Sequence, residues 1–319
     1  MVMDYLLDID LSERGNMSNV LVGTAIGDAL GVPFETMRGD NPLLVNWDGK
    51  SYLGSKHHGL LPAQYSDDTQ MSLMVAESLI ENNGFVPEDL CARYVDWIVS
   101  GRARGYGRTT FMAVEKLQNG THWSESGVPG SYGNGTAMRA APFGIYFRHD
   151  IPKLIESVKI DSAITHQSYD AEAGALAIAL ATAYIANHDT VNLVDKIMPH
   201  LPDSCVKHKL GKLHVLINAG ASSTMSLALL GTGANVKETV PAAIYCALRF
   251  DNYYDAVLAS IRAGGDTDTT AAIVGALFGA KSSLKDIDKA FFEVEDFDKL
   301  VTLDSKLYNK SSAVFFPRN

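Results

Sequence analysis

The chain has 319 residues, 46% of them hydrophobic, enough to bury a core as one large domain or two ordinary ones. A formal net charge of −10, with Lys and Arg dispersed, excludes a nucleic-acid groove, which needs cations gathered on one face. Three widely spaced cysteines, Cys91, Cys205 and Cys246, fit neither a disulfide framework nor a zinc knuckle and read as buried or idle thiols.

The N-terminal stretch MVMDYLLDIDLSERG is acidic and lacks the basic flank and apolar centre of a secretory signal, so a cytoplasmic location is expected. The segment VLVGTAIGDALGVPFE, from Val20 to Glu35, follows, with small residues at Gly23, Ala25, Gly27, Ala29 and Gly31. Each glycine lowers helix stability by about 1 kcal/mol relative to alanine, so close packing against another backbone must compensate. Asp28 lies inside this run, and Glu35 comes just after Pro33, where the helix is expected to end. A buried Asp28 bonded to loop amides is as good a reading as a functional one. For Glu35, its place at the end of an apolar segment points to function.

In PAQYSDDTQMSL, Ser66, Asp67, Asp68 and Thr69 stand before an amphipathic helix whose stripe is Met71, Met74, Val75, Ser78 and Leu79. Capping accounts for one or two of the four, and taken singly each is more often a cap than a ligand. PEDLCARYVDWIVSG predicts a second amphipathic helix, with Leu90, Tyr94, Trp97 and Ile98 on its buried face. The local basic cluster SGRARGYGR, Ser100 to Arg108, reads as a solvated helix end or turn and is given no role. In VPGSYGNGTAMRAAPFG, Gly130, Ser131, Tyr132, Gly133 and Asn134 form either a loop whose amides face an anion or sugar, or a plain flexible connection. His166 stands just before a segment that is apolar almost all round, Ser168 to Asp189; a lone histidine there is first a satisfied structural residue. The last such segment, AGGDTDTTAAIVGALFGA, carries Asp266, Asp268 and Thr269 at its head.

Alternating strand patterns are scarce, and no linker or repeat divides the chain, so a single all-α domain over residues 1–319 is expected. The longest apolar runs, such as Ala173 to Ala186, fall short of the ~18 residues that cross a bilayer, and no membrane span is predicted.

Capping does not explain why acids recur at the mouths of small-residue helices in three distant parts of the chain. If they converge, two carboxylates ~4 Å apart repel by about 4 kcal/mol at an effective dielectric of 20, and burial adds to that. A divalent cation resolves the conflict. Ligands that are all carboxylate and hydroxyl oxygen select Mg²⁺ or Mn²⁺ over zinc. Because such ligands must be ionised, activity is expected to fall as pH drops through about 4 to 5. An EF-hand beginning at Asp266 is excluded, since Ala271 stands where glycine is needed and Leu277 where the bidentate glutamate belongs. No phosphate-binding P-loop, H-E-x-x-H or G-x-S-x-G motif occurs, so ATPase, zinc-peptidase and serine-hydrolase chemistry lose their sequence support.

The stretches GTAIGDALGVPFE, YSDDTQMSL, GSYGNGTAMRAAPFG, ITHQSYDAEAGALA and AGGDTDTTAAIVGALFGA, in this order, resemble the ADP-ribosylglycohydrolase family, which includes dinitrogenase reductase-activating glycohydrolase and ADP-ribosylarginine hydrolases. The motifs span about residues 20–280. The resemblance implies a compact multi-helix fold with a binuclear metal cleft holding two Mg²⁺ or Mn²⁺. It further implies an enzyme that frees ADP-ribose from a modified protein, arginine-linked by first expectation. Serine or O-acetyl-ADP-ribose linkages, or a noncatalytic crystallin-like member, are the alternatives. By the same resemblance Ser66, Asp67 and Asp68 ligate one metal, and Asp266, Asp268 and Thr269 the other, with one aspartate bridging. Glu35, Asp67 or Asp68 supplies the catalytic acid or base. Gly130, Ser131, Tyr132, Gly133 and Asn134 cradle the diphosphate and adjoining ribose, His166 lies beside the distal ribose, and Asp28 supports the site from behind. Relatives often carry threonine where Ser66 stands, and the oxygen donor is kept. A monomer whose partners are its ADP-ribosylated protein substrate and the ADP-ribose product completes the expectation.

Overall fold

The structure, a computed structural model, describes residues 18–281 and 283–315; the N-terminal stretch read above for a signal lies outside the described residues. Ten helices of ten or more residues make the frame: α1 Val20–Gly31, α2 Asp67–Glu81, α3 Pro87–Val99, α4 Arg108–Gln118, α5 Ile151–Thr165, α6 Tyr169–Ala186, α7 Val236–Arg249, α8 Tyr253–Arg262, α9 Thr267–Lys281 and α10 Phe297–Phe315. Strand structure among the described residues is confined to a parallel pair, β1 Val128–Pro129 on β2 His166–Gln167, and a few isolated bridges. The fold is all-α. No described helix is long and apolar enough to cross a membrane.

The centre is the pair α1 and α9, and its geometry follows from the small residues noted in both. Gly23 faces Gly275, Gly27 faces Ala271 and Gly31 faces Thr267, so the helices run antiparallel with a four-residue repeat. A Cβ on Gly27 would lie 2.1 Å from the Ala271 carbonyl oxygen, so the backbones touch where any side chain would separate them. Running antiparallel carries the C-terminal end of α1, with Asp28 in its last turn and Glu35 just beyond it, to the N-terminal end of α9. Acids more than two hundred residues apart in sequence therefore meet at one end of the pair.

The surrounding elements hold this pair in place. Apolar on every side, α6 is buried along almost its whole length and packs against α5, α7 and α9. The amphipathic α2 and α3 bury Met71, Val75, Leu79, Leu90, Tyr94 and Trp97, as their spacing predicts. Lacking a side-chain cap of its own, α1 has Asp304 of α10 accept from the Leu21 and Val22 amides at 3.0 and 3.1 Å. Burial pushes the Asp304 carboxyl up to about 8. The basic turn after α3 is neutralised by acids: Arg102 pairs with Asp96, and Arg104 with Glu295. Cys91 and Cys246 are buried, Cys205 is exposed, and all three are free thiols.

Candidate active site

The site is assembled where three helix ends converge. Asp28, wholly buried on α1, accepts from the Ser66 amide at 2.9 Å, the Thr69 amide at 3.1 Å and the Thr69 hydroxyl at 2.6 Å. Its carboxylate thus caps the N-terminus of α2 from another helix and docks the Ser66–Thr69 turn onto α1. This resolves the two readings of Asp28: it binds backbone amides, though of a helix start. From α2, the Ser66 hydroxyl donates to Asp68 Oδ2 at 3.1 Å, and the Thr269 hydroxyl of α9 reaches the same oxygen at 3.3 Å. The two motifs are therefore in contact.

On the α9 side, carboxylate oxygens of Glu35, Asp266 and Asp268 lie within 4.8 Å of one another. The turn that presents Asp266 needs glycine twice. Gly264 and Gly265 have φ of 75° and 85°, and a Cβ on Gly265 would lie 2.4 Å from the Thr232 carbonyl oxygen. Asp67 stands beside Gly105, whose Cβ position is 3.3 Å from Asp67 Oδ1 and 3.5 Å from His58 Nδ1. His58 Nε2 hydrogen-bonds Glu35 Oε2, and that contact raises the His58 pKa above the ordinary imidazole value.

The electrostatics of this cluster are one-sided. Burial, reinforced by the charge of Asp28, pushes Asp67 up to about 8 and Asp68 well above the usual carboxylate range. Burial and the neighbouring Asp266 do the same to Asp268, and burial raises Asp28 and Asp266. Among the described residues no lysine or arginine pairs with any of the five. One oxygen, Asp68 Oδ1, is buried with no hydrogen-bond partner at all. A buried carboxyl oxygen without a partner, among further hydroxyl and carboxyl oxygens, is what a hard divalent cation completes, so the residues present fit a metal. Burial thus holds the Asp67 carboxyl, at about 8, above the pH 4 to 5 expected from ordinary carboxylates.

The glycine-rich loop borders the cluster. β1 pairs with β2 in register Val128 with His166, and the Gly130 amide donates to the Gln167 carbonyl at 2.9 Å. At the other end the Val236 amide donates to the Tyr132 carbonyl at 2.9 Å. Asn134 is buried, and its amide donates to Asp266 at 2.6 Å and to Thr239 at 3.0 Å. Its side chain braces an acid of the cluster, while the Ser131 hydroxyl turns back to the Val128 carbonyl at 2.8 Å. The Tyr132 ring is exposed. His166 is buried, its pKa pushed down to about 3 by burial and by Arg139, and it lines a cavity of about 480 Å³ with Gly130, Lys159, Ser168, Tyr169 and Glu172.

Residues 11–314 match the family described as ADP-ribosylglycohydrolase. The chain belongs to that family. This ADP-ribosylglycohydrolase is 28% identical to ADP-ribosylarginine hydrolase Tri1 of Serratia proteamaculans, over 93% of the chain and 78% of the relative. It is 29% identical to ADP-ribosylhydrolase ARH3 of Danio rerio, over 91% of the chain and 89% of the relative. A solved structure titled ADP-ribosylglycohydrolase-related protein complex shares its fold, with a TM-score of 0.71 at 24% identity over 92% of this chain and 96% of that one. Membership of the family makes the chain a hydrolase of ADP-ribosyl linkages.

Sequence reading of the ADP-ribosylglycohydrolase missed several residues at this site. His58 and its neighbour His57, which with Glu35 bring donor atoms within 4.8 Å, were signalled only by an unusual His-His pair. Gly105, against Asp67, lies in the basic turn that was given no role. Arg139 and Asp161, an ion pair buried at 0% and 1% exposure behind the loop, carried no local signal.

Proposed function

We propose that the chain is a metal-dependent ADP-ribosylarginine hydrolase, which cleaves the glycosidic bond at the distal ribose of a modified protein and releases ADP-ribose. The observation that carries this reading is the buried, unpartnered Asp68 oxygen among five carboxylates that no lysine or arginine neutralises. In this reading Ser66, Asp67 and Asp68 hold one Mg²⁺ or Mn²⁺, and Asp266, Asp268 and Thr269 hold a second. When bound, such ions supply Lewis-acid polarisation and a water of lowered pKa.

The remaining roles fall to the chain's own groups. Glu35, held by His58 at the edge of the cluster, is placed to move a proton to the leaving group or from the incoming water as charge develops on the ribose. Asp28 fixes the Ser66–Thr69 turn, and Asn134 fixes Asp266. The Gly130 and Ser131 amides are bonded to the Gln167 and Val128 carbonyls, so it is the amides of Tyr132, Gly133 and Asn134 that meet the diphosphate, which lets an acidic protein bind an anion without a basic patch. The cavity beside His166, walled by Lys159 and the exposed Tyr169, has a volume that suits a nucleotide.

Arginine linkage is favoured by the relatives named ADP-ribosylarginine hydrolase. Relatives named only as ADP-ribosylhydrolase, at comparable identity, carry no acceptor in their name, and a second reading has serine or O-acetyl in that place. A panel of arginine-, serine- and acid-linked ADP-ribosylated substrates, with and without chelator, tests both. The expected outcome is metal-dependent release of ADP-ribose, fastest from arginine. Faster release from serine selects the second reading, and binding without release from any substrate refutes catalysis.

A further inference from the structure

Behind the glycine-rich loop, Arg139 is wholly buried and tied on several sides. Its Nε donates to both Asp161 carboxylate oxygens at 3.2 and 3.0 Å, and Nη1 donates to the Gly135 carbonyl at 2.8 Å. Nη2 donates to the Asp161 carbonyl at 3.1 Å and to the Thr165 hydroxyl at 2.9 Å. Thr165, also wholly buried, places the same hydroxyl oxygen 2.8 Å from His166 Nδ1.

The hydrogen-bond count then leaves one arrangement. A guanidinium only donates, so the Thr165 oxygen accepts from Arg139. Its proton needs an acceptor, and among the described residues His166 Nδ1 is the partner in reach. If Nδ1 carried the ring proton, the buried threonine proton would have no acceptor, an outcome that folded proteins avoid. Nδ1 therefore accepts, and the imidazole proton sits on Nε2. We infer that Arg139 and Thr165 form a positioning relay that holds His166 in the Nε2–H tautomer, a hydrogen-bond donor aimed at an acceptor oxygen of ADP-ribose.

Two further facts agree. Among the described residues Nε2 has no protein partner, and what lies over it is glycine: a Cβ on Gly133 would be 3.2 Å from Nε2, and one on Gly135 3.5 Å. The loop thereby leaves Nε2 free of side-chain cover. With its pKa pushed down to about 3, the ring also stays uncharged through the neutral range, so it donates one hydrogen bond without titrating. Because Arg139 also grips the Gly135 carbonyl, one buried group fixes both the loop and the histidine that faces it. The tautomer stands on this structure alone, whereas its ligand rests on the proposed function above.

The test is a long-range ¹⁵N–¹H correlation on the labelled full-length protein, with the His166 signals assigned by their loss in His166→Asn. A pyridine-type Nδ1 and a pyrrole-type Nε2 are expected. Thr165→Val, which keeps the shape and removes the hydroxyl, should shift that pattern and raise the calorimetric Kd for ADP-ribose about tenfold, the worth of one hydrogen bond to a charged ligand. Thr165→Ser should restore both. A pyrrole-type Nδ1 in the wild type overturns the relay, as does a Thr165→Val protein with unchanged tautomer and affinity. Should Thr165→Val fail to fold, the wild-type spectrum and Thr165→Ser decide. Absence of ADP-ribose binding in the wild type would refute the proposed function, while the nitrogen signature would still decide the tautomer.

Discussion

Two buried acidic regions lie on either side of the glycine-rich loop, and they are built on opposite rules. Asp161 is matched by a guanidinium that is itself hydrogen-bonded to two carbonyls and a hydroxyl, so its charge is compensated within the protein. Asp28, Asp67, Asp68, Asp266 and Asp268 gather with no such partner, and one of their oxygens is left without any hydrogen bond. A charge balanced inside the chain is architecture, because the balance is complete on folding. Acids left without a counter-charge inside the chain either hold protons or take a cation from outside, and it is on this second kind of region that the proposed function rests.

The contrast is broken most severely by removing one ligand. Asp268→Asn should lower turnover by roughly 10²–10³-fold or more, in the range seen when one preorganised electrostatic group is lost. Circular dichroism should remain helical, and unchanged activity of the purified variant would reject the assignment. Next comes the compensated region. Arg139→Leu leaves Asp161 buried and unpaired and should cost about 3–5 kcal/mol in denaturant unfolding, while the double variant with Asp161→Leu should recover most of it. The opposite sign is expected at the acidic cluster, where Asp68→Asn in the metal-free protein should raise stability by about 0.5–2 kcal/mol.

The small-residue stripe gives a smaller effect of another kind. Gly27→Ala puts a methyl 2.1 Å from the Ala271 carbonyl and forces α1 from α9, so a loss of about 1–3 kcal/mol is expected, read as a fall in Tm. The gentlest probe is pH. Asp67 titrates near 8 in the fold against 3.8 in the open chain, so between these values the folded protein binds protons that the unfolded chain has released. The contribution of Asp67 to the stability of the metal-free protein should therefore be fully present below about pH 4 and be lost as pH rises through 8, with Asp304 adding a contribution of the same sign. Saturating Mg²⁺ should flatten that slope, because the metal takes the place of the protons. A metal-free protein that gains stability from pH 4 to 8 would contradict the raised carboxylates.

The parts of the molecule that could be read in the sequence are those whose signal is local. The glycine repeat of α1, the all-round apolar character of α6 and α9, and the amphipathic stripes of α2 and α3 each state their packing in a dozen consecutive residues. Acids at three helix ends were likewise visible, and their convergence follows once α1 and α9 pack antiparallel. What could not be read depends on pairing across the chain. Nothing near Asp304 announces that it caps a helix some 280 residues earlier, and nothing near Asn134 says that its amide will brace Asp266. The relation of Arg139 to Asp161 and Thr165 is equally invisible, since Arg139 stands in a turn and its two partners on a helix more than twenty residues further on. The short helices between Leu193 and Leu230 lacked a periodic pattern long enough to predict them.

The central claim is that the unbalanced acids form a chelating cup for hard divalent ions. It is tested most directly by titrating Mg²⁺ and Mn²⁺ into metal-free protein at pH 8, following heat of binding and Tm together. The account predicts saturable binding that stabilises the fold by about 2.7 kcal/mol at a hundredfold excess over Kd, and its loss in Asp268→Asn. No heat and no change in Tm at millimolar ion, in protein shown to be metal-free, would contradict it.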